Sequence, residues 1–121
     1  MTDRTPKGWH CVTPRIAVED AAGLIAFLKR VFQATVEDHG DAPSLVLIDD
    51  SRLMVSRTGP REAFPAFLYV YVEDADATCE RALQAGALSL EAVWDTPYGD
   101  RRGMVKDPWG NVWQIAAYHR R

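Results

Sequence analysis

Val18-Glu19-Asp20-Ala21 and Val72-Glu73-Asp74-Ala75 are one phrase written twice, 54 residues apart in a chain of 121. Each closes an apolar, strand-like run and opens a helical one. Outward from this pair, the same order of segments unfolds in both copies: strand, helix, then three strands. A unit of about half this chain cannot bury its own sheet face. Two copies side by side can, and the seam between them is a natural place for a pocket.

In the first copy, Cys11 to Val18 reads as a strand, with Pro14 inside it marking an edge position or a bulge. Asp20 is a helix N-cap, and Leu24, Phe27, Leu28 and Val31 recur beyond it at helical spacing. Ala34 to Glu37 is a short strand and His39 to Pro43 a turn. Leu45 to Ile48 and Leu53 to Ser56 form a hairpin about Asp49-Asp50-Ser51. Thr58 to Glu62 connects the copies. In the second copy, Ala66 to Val72 is a strand, Asp74 caps a helix running to Gln84, and Gly86 fits the left-handed position after it. Leu88 to Trp94, Arg101 to Lys106 and Val112 to Ala117 are strands. The turn Asp107-Pro108-Trp109-Gly110 has proline at its second position and glycine at its fourth.

Alternation sorts the first strand of each copy into two faces. Val12, Ile16 and Val18 share one side, as do Leu68, Val70 and Val72. The opposite side carries Thr13 and Arg15 in one copy and Phe67, Tyr69 and Tyr71 in the other. Aromatic rings with a few polar groups suit a small organic ligand.

Bulk composition narrows the classes. Hydrophobic residues are 47% of the chain, which fits a packed domain. The net charge of −3 argues against nucleic acid as a partner, which calls for a basic face. No apolar stretch approaches the roughly 20 residues that cross a bilayer, and the N-terminal residues show no apolar signal core. No membrane partner is expected, and the expected compartment is the cytoplasm. Cys11 and Cys79 read as buried thiols rather than a disulfide or a metal pair.

Three stretches carry a family likeness: VTPRIAVEDAAGLIAFLKRVF, LYVYVEDADATCERALQAGA and YGDRRGMVKDPWGNVWQI. Together they span most of the chain, and the last is the most specific. The pattern resembles the vicinal oxygen chelate superfamily, which includes glyoxalase I, bleomycin-resistance proteins and extradiol dioxygenases. The resemblance implies an α+β fold of two tandem βαβββ modules, forming a curved mixed sheet with helices outside and a concave cavity. Residues 1–121 would be one such domain, with module one at about 10–58 and module two at about 66–118. It also implies a homodimer.

Family enzymes commonly hold a divalent metal. Carried over one by one, the ligand positions fall on Thr13, Met54, Phe67 and Gln114. Only Gln114 is a serviceable donor, and a divalent site needs several donors converging. No cofactor is therefore expected. His10, His39 and His119 lack ligand spacing and read as surface or strand-end residues.

Arg15 and Arg101, with Arg102 beside it, offer guanidinium forks for an anionic group on a ligand. Ion pairing with Asp95, Asp100 or Asp107 is the plainer account of Arg101 and Arg102. Trp94 is the better aromatic pocket candidate, because alternation opposite Gln114 sends Trp113 into the core. Glu91, Asp95 and Asp100 read as a solvated acidic surface.

The ligand-binding set is thus Thr13, Arg15, Met54, Phe67, Tyr69, Trp94, Arg101 and Gln114, with no catalytic residue assigned. The function it suggests is small-molecule binding of the glyoxalase and bleomycin-resistance type, without the family metal. Protection against a toxic compound such as an antibiotic would then work by sequestration. One rival is a metal-dependent glyoxalase-type lyase, isomerase or dioxygenase. A second is a structural or regulatory module whose cavity is filled by its own side chains.

Overall fold

The computed structural model describes residues 5–37, 43–58 and 62–119. Its elements run β1 (Arg15–Val18), α1 (Ala21–Phe32), β2 (Thr35–Glu37), β3 (Ser44–Ile48), β4 (Ser51–Arg57), β5 (Phe67–Tyr71), α2 (Ala75–Gln84), β6 (Leu88–Asp95), β7 (Asp100–Lys106) and β8 (Val112–Tyr118). This is the βαβββ order twice over. The strands form two four-stranded mixed sheets, ordered β1-β4-β3-β2 and β5-β8-β7-β6. In each, the first and last strands of the copy pair in parallel, and the remaining pairs are antiparallel. Two compact units follow the same division: one runs to Lys29 and from Gln33 to Phe64, the other takes Arg30–Phe32 with Pro65 onward.

The repeated phrase places the helices as its chemistry requires. The Asp20 carboxylate accepts from the Gly23 amide at 2.9 Å, and Asp74 accepts from the Ala77 amide at 3.0 Å. Each satisfies one of the donors that a helix start leaves without a partner. Gly86 takes a φ of +106°, the left-handed turn beyond α2. In the first copy Gln33 takes that conformation instead, at φ +57°.

The first sheet buries Ile16, Val18, Val46, Ile48, Leu53 and Val55. Register sets Arg15 beside Met54 and Leu45, on the opposite face. Two expectations fail here. Cys11 to Thr13 do not belong to β1, which begins at Arg15, so Val12 is 80% exposed and shares no buried face. Pro14 explains the late start: it has no N–H to give a ladder, although its carbonyl accepts from the Met54 amide at 3.0 Å. Cys11 is exposed, and only Cys79 is a buried thiol. The turn expected from His39 lies largely outside the described residues, as does the middle of the connector.

In the second unit α2 packs on β6, β7 and β8. Gly103 of β7 makes that close: a Cβ there would stand 2.8 Å from the Cys79 sulfur and from a Val93 methyl carbon. Trp113 and Ile115 are fully buried, each contributing about 2–3 kcal/mol by its burial. The turn between β7 and β8 is organised by the buried carboxylate of Asp107. Its Oδ1 accepts from the amides of Trp109 and Asn111, both at 2.9 Å. Its Oδ2 accepts from the Asn111 side chain at 3.0 Å and from the Trp113 indole at 2.9 Å. Asn111 passes the connection on, accepting from the Ala66 amide at 2.8 Å at the threshold of β5.

Removing the Asp107 carboxylate leaves four donors without their acceptor. Asp107→Ala is expected to lower the unfolding free energy by about 3 kcal/mol or more. The exposed Asp95→Ala should change it by no more than about 1 kcal/mol. Urea denaturation of both variants checks this, and equal midpoints would contradict it.

Candidate functional site

The face of the second sheet away from α2 collects polar and aromatic groups. Register aligns Tyr69, Gln114, Met104 and Glu91 in one row across β5, β8, β7 and β6. A second row aligns Tyr71, Ala116, Arg102 and Trp94. Phe67 precedes these rows on β5, and Asp100 follows on β7. Parity brings the residues of β5, β7 and β8 together, since every second side chain of a strand leaves on the same side. On β6 a register shift between Glu91 and Trp94, three residues apart, brings both to this face.

Asp100 is the fixed point of this face, only 4% exposed. Its Oδ2 accepts from the Tyr69 hydroxyl at 2.6 Å and the Tyr71 hydroxyl at 3.0 Å. Thr96 holds its backbone, donating to the Asp100 carbonyl at 2.7 Å and accepting from the Asp100 amide at 3.1 Å. The two phenol rings stand 5.4 Å apart. Arg102 lies alongside, its guanidinium carbon 6.0 Å from the Tyr69 ring centre and 5.9 Å from that of Trp94. Arg102 donates to Glu91 Oε1 from Nη2 at 3.1 Å and Nε at 3.3 Å, and to the Tyr98 hydroxyl at 2.5 Å. The Trp94 indole donates to the same Glu91 oxygen at 3.0 Å.

These contacts set the protonation states. Burial pushes the Tyr69 phenol well above its ordinary range, and donation to Asp100 adds to the rise. For Tyr71 the bond to Asp100 comes first and burial second, again upward. The Trp94 indole, followed by Arg102, holds Glu91 below the usual carboxylate range. At neutral pH the face therefore presents protonated phenols, an ionised Glu91 and a guanidinium. It can donate hydrogen bonds, stack on π systems and meet an anion, but neither the phenols nor Glu91 is a ready proton acceptor.

The expected binding residues fall into three groups. Phe67, Tyr69, Trp94 and Gln114 share the face just described. Arg101 does not join them. One residue out of phase, it leaves on the α2 side, where it donates to Asp76 at 2.6 and 3.0 Å and to Asp95 at 3.1 Å. Arg102 stands in its place. Arg15 and Met54 pair on the first sheet, and Thr13 lies before β1. Asp100 went unrecognised: expected as part of a solvated acidic surface, it is buried beneath two phenols. The signal was its spacing of two from Arg102, which gives both the same parity.

A separate cleft of about 320 Å³ lies between α2 and β6, lined in part by Asp76, Cys79, Glu80, Leu83 and Val93. Burial pushes the Cys79 thiol up to about 11, which leaves it protonated and unreactive at neutral pH.

The donors on the second sheet do not fit a divalent metal. Phe67 offers no donor atom. Gln114 is a neutral amide set between the Met104 thioether and a phenol committed to Asp100. Among the described residues, no group of three or more His, Cys, Asp or Glu side chains is placed to hold a metal ion.

Comparison with known proteins agrees with this architecture. The family model described as Glyoxalase/Bleomycin resistance protein/Dioxygenase superfamily matches residues 10–115. An uncharacterized protein of Mycobacterium bovis, Mb0911c, is 29% identical over 122 residues, spanning 86% of this chain and 80% of that protein. The crystal structure of TioX from Micromonospora sp. ML1 aligns with a TM-score of 0.77 at 23% identity, covering 88% of this chain and 97% of that one. A glyoxalase/bleomycin resistance protein/dioxygenase family enzyme from Burkholderia phytofirmans PsJN aligns at 0.73 and 18% identity, covering 86% and 94%. At these identities the solved structures speak to the fold alone.

Both phenols beneath which Asp100 lies have raised values, so they stay protonated where a free tyrosine ionises, near pH 10. The stability they contribute is present below that pH and lost as pH climbs through the raised values. In Asp100→Asn, Tyr71 should return toward its ordinary value, while Tyr69, shifted first by burial, stays partly raised. Titration of 13C-labelled tyrosine by NMR reads this directly, and an unchanged Tyr71 curve would refute the assignment.

Proposed function

The chain belongs to the glyoxalase/bleomycin resistance protein/dioxygenase superfamily, and from that premise we propose that it is a metal-free small-molecule binding protein. Its ligand is an aromatic or amphipathic compound held on the face of the second sheet that carries Tyr69, Trp94 and Arg102. The observation that carries this reading is the Arg102 guanidinium, set beside the rings of Tyr69 and Trp94 and oriented by Glu91 and Tyr98. A guanidinium fixed in this way, its charge matched by Glu91 at 3.1 Å, keeps a flat surface ready for an aromatic ligand with little ordering left to do at binding.

Two rivals fare worse. A module filled by its own side chains would bury its aromatics, yet Phe67 is 67% and Tyr71 58% exposed. An enzyme working by proton abstraction needs a base near neutral pH, and both Glu91 and Tyr69 are shifted the wrong way. A metal-dependent enzyme needs donors that Phe67 and Gln114 do not supply. Binding without chemistry lowers the free ligand by mass action, the mechanism of protection by sequestration. We further propose one family domain built of two modules, working as a cytoplasmic homodimer. The edge strand β1, with Pro14 before it, is a candidate contact.

A thermal-shift series with aromatic acids, quinones and glycopeptide drugs tests the reading. A ligand at 100 times its Kd adds about 2.7 kcal/mol of stability. Arg102→Ala and Trp94→Ala should each weaken that ligand about tenfold, close to 1.4 kcal/mol, while Leu83→Ala leaves it unchanged. Stoichiometric nickel, zinc, iron or manganese in protein purified without chelator would overturn the metal-free assignment.

A further inference from the structure

The first sheet has a face of a different character. Away from Ile16, Val46 and Val55 it carries Arg15 on β1, Arg52, Met54 and Ser56 on β4, and Leu45 and Leu47 on β3. Arg15 pairs with Met54, and Arg52 lies two residues back along β4 on the same side. Their Cα atoms are therefore roughly 8 Å apart, within reach of one shared anion for two side chains of this length. Among the described residues neither arginine has a carboxylate partner. Among the described residues the acidic one on this face is Glu37, on β2, two strands from β4.

Arg52 is engaged by the N-terminal segment instead. Its Nη1 donates to the Gly8 carbonyl, and its guanidinium carbon lies 5.5 Å from the Trp9 ring centre. The segment is folded for this: the Trp9 amide donates to the Pro6 carbonyl at 3.0 Å, and the Thr5 hydroxyl donates to the Trp9 carbonyl at 3.0 Å. Gly8 has a φ of +85°, and a Cβ there would lie 3.1 Å from Arg52 Nη2. A glycine therefore serves at this point both for its conformation and for the close approach. The partner it offers is a neutral carbonyl, making one bond to a guanidinium that has five donors. A carboxylate or phosphate offers two oxygens and a negative charge, and such bonds are about twice as strong as neutral ones.

We propose that Arg15 and Arg52 form an anion subsite on the first sheet for the carboxylate or phosphate group of an organic ligand, and that the turn Thr5–Trp9 is a strap this anion displaces from Arg52. The half-buried Leu45 and Met54 beside the arginines receive the carbon skeleton. This inference is independent of the site on the second sheet, and its readout lies at Trp9.

The test uses the full chain labelled with 5-fluorotryptophan, the Trp9 signal being assigned through Trp9→Phe. Benzoate and phenyl phosphate are titrated separately, with inorganic phosphate and benzyl alcohol as controls. The proposal expects a saturable shift of the Trp9 signal with at least one of the two organic anions. Comparing them shows which oxyanion is preferred, and inorganic phosphate acting more weakly shows that the skeleton adds to binding. Arg15→Gln and Arg52→Gln should each weaken binding fivefold or more. Gly8→Ala, which dislodges the turn, should place the Trp9 signal near its anion-bound position before any ligand is added and should tighten binding. A Trp9 signal that does not move, moves equally with benzyl alcohol, or moves with unchanged affinity in both arginine variants overturns the proposal.

Discussion

The second unit is organised around one buried carboxylate. Asp107 accepts four hydrogen bonds, two from the backbone of its own turn and two from the side chains of Asn111 and Trp113. A carboxylate withdrawn from water needs such compensation. Here the compensation also sets the register of the hairpin it closes. Asn111, held by Asp107, accepts from Ala66 and so fixes where β5 begins beside β8. Three strands thereby take their alignment from a single turn.

That alignment decides the chemistry of the exposed face. A slip of one residue in β7 would turn Arg101 and Gly103 outward and send Asp100, Arg102 and Met104 toward α2. Gly103 leaves no room for such a slip, because its hydrogen faces the Cys79 sulfur at van der Waals range. With the register fixed, Asp100 falls beneath the hydroxyls of Tyr69 and Tyr71, and Arg102 falls beside Trp94. These residues come from three separate stretches of the chain, the pair on β5, the pair on β7 and Trp94 on β6.

Much of this was legible in the chain, and for physical reasons. The Asp20 and Asp74 caps, Gly86 and the proline-glycine turn are local devices, recognisable because the backbone demands those residue types there. Strand alternation correctly put Trp113 in the core and Tyr69 outside it. What failed depended on phase or on distant partners. Alternation was extended through Pro14 to Val12, where no ladder continues. Arg101 and Arg102 are neighbours of identical type, and only the register of β7 beside β8 tells which faces the phenols. Asp100 looked like a surface acid because its three partners, Thr96, Tyr69 and Tyr71, converge only in the folded sheet. The hold of Gly8 and Trp9 on Arg52 spans more than forty residues of chain and left no periodic trace.

The same strand parity divides the molecule's capacity for change. Positions such as Ile16, Val55, Trp113 and Ile115 are held by packing, and altering them endangers folding itself. Positions such as Arg15, Phe67, Tyr71 and Trp94 alternate with them yet carry little of the core. New side chains there would change the chemistry of the surface while the scaffold stays intact. Two duplicated sheets, each with one committed side and one permissive side, give a lineage two faces on which substitutions accumulate without cost to the core.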